Sequence, residues 1–78
     1  MSGRPVKHSV TLHGHRTSIS LEDEFWRAFR EIALKKDITI NALTADIDTA
    51  RGDLGLASAI RIYVLKHFQE QAKAVNGG

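Results

Sequence analysis

At 78 residues the chain has room for one domain at most, and a core that small commonly leans on a disulfide, a metal or a second subunit. It has no cysteine, which excludes disulfides and thiolate metal sites, and no apolar run near the ~20 residues that span a bilayer. A net charge of +2 and a pI of 9.3 admit an anionic partner without requiring one, and a hydrophobic content of 42% is that of a folded chain.

The charge is unevenly spread. From Met1 to Ser20 the chain carries Arg4, Lys7 and Arg16 together with His8, His13 and His15, and no acid. A basic N-terminal stretch on a near-neutral body suggests that this end meets an anion. The N-terminus lacks the apolar core of a secretory signal, so a cytoplasmic protein without membrane association is expected.

Residues 1–14 contain Gly3 and Pro5 and read as a basic, flexible arm. Within it Val10 and Leu12 alternate with Ser9, Thr11 and His13, a weak strand signal. A clearer one follows: Thr17, Ile19 and Leu21 alternate with Arg16, Ser18 and Ser20. The two runs are out of phase, and Gly14 stands between them. A lone short strand cannot satisfy its backbone groups or bury its apolar face. Two arrangements meet that need. In one, Gly14-His15 is a two-residue turn with Gly where a type II′ turn wants it, and Val10 faces Ile19 while Leu12 faces Thr17. In the other, residues 15–21 pair with the same segment of a second chain.

Ser20 is a candidate N-cap, with Asp23 three residues on and Glu22, Asp23 and Glu24 where a helix N-terminus favours negative charge. Leu21, Phe25, Phe29 and Ile32 form an apolar stripe, widened by Trp26, Ala28 and Ala33, and Lys35 and Lys36 stand at its negative end. A helix over 21–36 is predicted. After Asp37-Ile38, Thr39 can cap a second helix carrying Ile40, Leu43, Ile47 and Ala50 and ending at Arg51-Gly52, with Ile38 as a hydrophobic staple. A third helix is predicted over 56–74, with Leu56, Ile60, Val64, Phe68 and Ala72 on one stripe. Ile62 lies off that stripe, so this helix wants contact on more than one side. Asn76-Gly77-Gly78 reads as a frayed end.

The run Arg16-Thr17-Ser18-Ile19-Ser20-Leu21, the acidic triplet and helical stripe after it, and then Lys35-Lys36-Asp37-Ile38-Thr39-Ile40-Asn41-Ala42-Leu43, make a particular order. It resembles the ribbon-helix-helix family of bacterial DNA-binding proteins, the class of the Arc and Met repressors, over roughly residues 15–51. The resemblance implies a mainly α fold: one short strand pairs antiparallel with its copy in a homodimer, and helices follow. It divides the chain into the arm (1–14), a ribbon-helix-helix core (15–51), and an additional C-terminal helix with its tail (52–78). It implies a transcriptional regulator or repressor that binds double-stranded DNA by placing the two-stranded ribbon in the major groove.

On that reading Ile19, Leu21, Phe25, Phe29, Ile32, Leu43 and Ile47 form the core of the dimer, while Arg16, Ser18 and Ser20 turn outward to base edges. Arg can donate twice to guanine, and Ser can donate or accept. The family's outward positions commonly carry long basic or amide side chains, so two serines here imply blunter base discrimination. Ser20 has a competing role as a helix cap. Thr39 and Asn41, at the N-terminus of the second helix, would anchor a phosphate, and Arg4 and Lys7 would touch phosphates from the arm. The plainer reading of Thr39 is a simple cap, and that of Arg4 and Lys7 a solubilised tail.

Other chemistries find little footing. His8, His13 and His15 fit no familiar ligand spacing, so no metal is expected; their protonation would add positive charge toward DNA. Trp26 and Tyr63 read as core or interface aromatics. There is no paired acid and base, no nucleophile with a partner and no phosphate-binding glycine loop, so neither an enzyme nor a cofactor is expected. The alternative functions are an antitoxin or adaptor that binds a protein through Ile62, Tyr63 and Leu65, and a structural module without DNA, in which the N-terminal hairpin closes within one chain and the helices form an oligomer. Assembly beyond a dimer is left open.

Overall fold

The structure, a computed structural model, describes residues 3–75; the expected frayed end at 76–78 and the first two residues of the expected arm lie outside the described residues. Its elements are β1 (Val6–Leu12), β2 (His15–Leu21), α1 (Asp23–Lys35), α2 (Ile40–Ala50) and α3 (Leu56–Val75).

The strand is not alone in its chain. β1 and β2 form a two-stranded antiparallel sheet in which Val6 faces Leu21, His8 faces Ile19, Val10 faces Thr17 and Leu12 faces His15. This corrects the expectation of a single strand: most of the expected arm, residues 6–12, is strand as well. The hairpin that competed in the sequence is therefore the one formed, but with its turn one residue earlier. His13 and Gly14 both have positive φ, 51° and 80°, the requirement of a type I′ turn, which suits the twist of the strands it joins. Gly has no steric objection to that region, and His tolerates it better than most residues. Each pairing shifts by two residues from the expected register, so the inward set is unchanged. That shift also brings His8 onto Trp26, with ring centroids 4.0 Å apart and planes 7° from parallel.

α1 begins two residues later than predicted. Ser20 and Leu21 remain in β2 because Leu21 is fully buried and opposite Val6. Glu22 takes the N-cap position without a side-chain cap, and its backbone oxygen accepts from Trp26 N at 3.0 Å. Ser20 as a helix cap is thus corrected. α1 ends on Asp37, in the left-handed region at φ 58°, with Ile38 N donating to Ala33 O and Asp37 N to Leu34 O. These are the crossed bonds that close a helix C-terminus, here without the usual glycine. α2 follows its prediction: Thr39 Oγ1 accepts from Ala42 N at 3.0 Å.

One core joins all five elements. Val10, Ile19, Leu21, Phe29, Ile32, Ala33, Leu43, Ile47, Ala59, Ile60 and Val64 are buried together, with Phe25, Trp26 and Tyr63 packed against them. The side chains expected to meet across a dimer meet here inside a single chain. β1 and α3, neither of which belongs to the strand-helix-helix core, pack onto it from within the same chain.

Candidate nucleic-acid interface

Alternation along the hairpin decides what faces outward. With Val10, Ile19 and Leu21 buried, the other face carries Lys7, Ser9 and Thr11 on β1 and Arg16, Ser18 and Ser20 on β2. All are exposed except the half-buried Ser20, and neither strand contains an acid. Arg16 lies diagonally across the ribbon, its Nη1 donating to Ser9 Oγ at 3.2 Å. Its guanidinium is therefore laid along the ribbon surface with most of its donors unused.

The N-terminus of α2 is tied to this ribbon. Thr11 N donates to Asn41 Oδ1 at 3.0 Å, so Asn41 sits against the outer edge of β1, beside the Thr11–Arg16 pair. The first N–H groups of a helix precede its intrahelical bonds. In α2 that of Ala42 is taken by Thr39. Thr39 is thus a cap, and Asn41 a strut between α2 and β1. Arg4 is exposed just before β1, and Lys7 is on it, opposite Ser20.

Each end of the ribbon carries an ion pair. At the turn, His13 Nε2 lies 3.1 Å from Asp48 Oδ2, and Asp48 also accepts from Arg51 Nε at 2.6 Å. These bonds, Arg51 foremost, hold the Asp48 carboxyl below its ordinary value. At the other end, Glu22 receives Arg61 Nε at 2.8 Å and Nη2 at 3.1 Å, and the same Nη2 reaches Ser20 O at 3.4 Å. Hydrogen bonding from Arg61 lowers the Glu22 carboxyl in turn.

Ser9, Thr11, Glu22 and Arg61 escaped the sequence reading as parts of this region. The signal for the first two was present, since Lys7, Ser9 and Thr11 alternate with Val6, Val10 and Leu12. Nothing local signals the Glu22–Arg61 pair, which is 39 residues apart. His8, His13 and His15 are not gathered: His8 is stacked on Trp26, His13 is paired with Asp48, and His15 is exposed on the last rung. Among the described residues no group of three His, Cys, Asp or Glu could hold a metal ion, and no helix is long and apolar enough to cross a membrane.

No curated protein and no solved structure matches the chain. The family model described as "Ribbon-helix-helix domain" matches residues 5–68, which takes in β1, β2, α1, α2 and more than half of α3. With most of its length under that match, and an antiparallel ribbon followed by helices, the chain belongs to the ribbon-helix-helix family.

Proposed function

We propose that this protein is a homodimeric DNA-binding transcriptional regulator that places a two-stranded antiparallel ribbon in the major groove. The family is one of DNA-binding regulators rather than of enzymes. The observation that carries the reading is the ribbon's outward face, all polar or basic and without an acid, fastened by Asn41 to the N-terminus of α2. A ribbon of that kind can turn hydrogen-bonding side chains toward base edges while helix N–H groups take a phosphate.

Arg16 is the principal base-contacting residue, reaching guanine by leaving Ser9. Ser18 contributes a shorter contact at the middle of β2, and Ser20 one at its end. Asn41 and Thr39 place the α2 N-terminus on a phosphate, and Arg4 and Lys7 add backbone charge. A regulator of this kind acts in the cytoplasm and needs no cofactor.

The test is a titration of duplex DNA at two salt concentrations. Affinity falls as salt rises, because phosphate contacts release counterions. Arg16→Ala costs about 1–3 kcal/mol on a preferred duplex, while Lys7→Ala weakens binding to all duplexes alike and lowers the salt slope by about one. Absence of salt-sensitive binding by the wild type removes the reading.

A second reading, an antitoxin or adaptor, is favoured by α3, where Ile62 is 40% and Leu65 55% exposed with Tyr63 half-buried beside them. Leu65→Glu separates the two. Loss of dimer mass places this face inside the homodimer; unchanged mass and unchanged DNA affinity leave it for another protein.

A further inference from the structure

Where α2 meets α3 the chain leaves a groove. α2 ends at Ala50, Gly52 turns the backbone at φ 62°, and α3 packs back on α2 from Leu56 onward. Ala50 and Ala59 put small side chains in the seam, and a groove of about 220 Å³ remains. Its floor is apolar, with Ile47 and Ala59 buried and Tyr63 half-buried beside them, while Leu54 and Ile62 line it as exposed side chains. That volume is below the ~300–1,000 Å³ of small-molecule sites and suits apolar side chains reaching in from a second surface. Leu65 lies one turn beyond Ile62 and is exposed too, so the apolar strip continues along α3 past the groove. An amphipathic helix fills such a strip with residues three and four apart.

Charge narrows the choice of helix. The two charged residues that line the groove are both cations, Arg51 and Lys66. Arg51 donates Nε to Asp48 and Nη1 to Leu54 O, which holds it in place and offsets part of its charge. Lys66 is exposed and, among the described residues, in no ion pair. An apolar surface flanked by carboxylates complements this groove, and one flanked by cations does not. A second copy of the chain fits poorly by that rule, since its exposed Leu34 and Ile38 lie with Arg27, Arg30 and one acid, Glu31.

Resting on the second reading above and not on DNA binding, we propose that the α2–α3 groove docks an acidic amphipathic helix of another protein. The apolar residues of that helix fill the seam at Ala50 and Ala59 and lie along Ile62 and Leu65. Its carboxylates meet Lys66 first and Arg51 second.

The probes are two synthetic helical peptides with leucines three and four positions apart. They are identical except that the residues flanking the leucines are glutamate in one and lysine in the other. The full chain is titrated into each labelled peptide at low salt, and binding is read by fluorescence anisotropy. The acidic peptide binds about tenfold more tightly than the basic one. Lys66→Glu abolishes or reverses that preference, and Ile62→Ser weakens the binding of both peptides. Ile62 and Lys66 are exposed, so both variants keep the fold, which urea unfolding checks. Equal binding of the two peptides, no binding of either at about 1 mM, or a preference that Lys66→Glu leaves intact overturns the proposal. Displacement of the acidic peptide by duplex DNA overturns it too, because the cations then belong to phosphates. Loss of dimer mass in Leu65→Glu is a different failure: it places the outer face of α3 inside the homodimer and removes the second reading, and this inference with it.

Discussion

The hairpin and α3 press one face each onto the same core, and their other faces could hardly differ more. The hairpin turns Lys7, Ser9, Thr11, Arg16, Ser18 and Ser20 outward, whereas α3 leaves Ile62, Leu65 and Phe68 at 40%, 55% and 37% exposure. Interfaces with DNA are polar, basic and wet; those with protein bury apolar and aromatic side chains at their centre. One small fold thus offers two surfaces suited to different chemistries. The polar one lies beside the α2 N-terminus, and the apolar one is on the additional helix.

The contrast within α3 sets the largest expected effect. Ile60 is fully buried, and Ile60→Ala lowers the free energy of unfolding in urea by about 2–5 kcal/mol. Leu65→Ser on the outer face of the same helix changes it by less than about 0.5 kcal/mol. A large loss from Leu65→Ser would mean that the outer face is already covered in solution, and that the apolar surface of the comparison belongs to an assembly.

On the hairpin side the decisive residue is Val10. If β1 is part of the fold, Val10→Ala costs about 2 kcal/mol in the same measurement, the loss of a buried aliphatic side chain. If residues 6–12 were a loose arm, the substitution would be silent. A smaller effect separates the two capping candidates: Thr39→Ala costs about 1 kcal/mol, because its hydroxyl accepts from Ala42 N. Ser20→Ala costs less than about 0.5 kcal/mol, because Ser20 lies in β2 and caps nothing.

What could be read in the sequence follows the range of the forces involved. α2 was legible almost to the residue because its cap, its period and its terminating glycine all act within one or two turns. The faces of β2 were legible because alternation is local. The home of the strand was not. Turns at His13-Gly14 and at Gly14-His15 both keep Val10, Ile19 and Leu21 on one side, so composition could not choose between them. The observed register instead matches contacts from far along the chain, with Asn41 on Thr11, Asp48 on His13 and Trp26 on His8. The sequence also could not show that β1 and α3 would suffice to cover Leu21, Phe29 and Ile47. Apolar content was read as a demand for a second subunit when much of it was met within the chain. Membership of the family rests on the matched residues 5–68.

The smallest expected effect bears on a polar tie between the two contrasted regions, the clasp of Arg61 on Glu22 and Ser20. Glu22 has its carboxyl lowered from an ordinary value of 4.5, first by the Arg61 hydrogen bonds. In the unfolded chain it takes up a proton at the ordinary value, and in the folded chain only at lower pH. Between those points the unfolded state binds more protons, so stability rises with pH there. The contribution is complete above the ordinary carboxylate range and is lost as pH falls through the folded value. Asp48, lowered from 3.8 chiefly by Arg51, adds a slope of the same sign. Both groups meet water, so the effect is modest and shrinks with added salt. Urea unfolding followed from about pH 5 to about pH 3 should show a shallower decline for Glu22→Gln than for the wild type. Equal slopes would mean that the Arg61–Glu22 pair of the folded chain does not persist in solution.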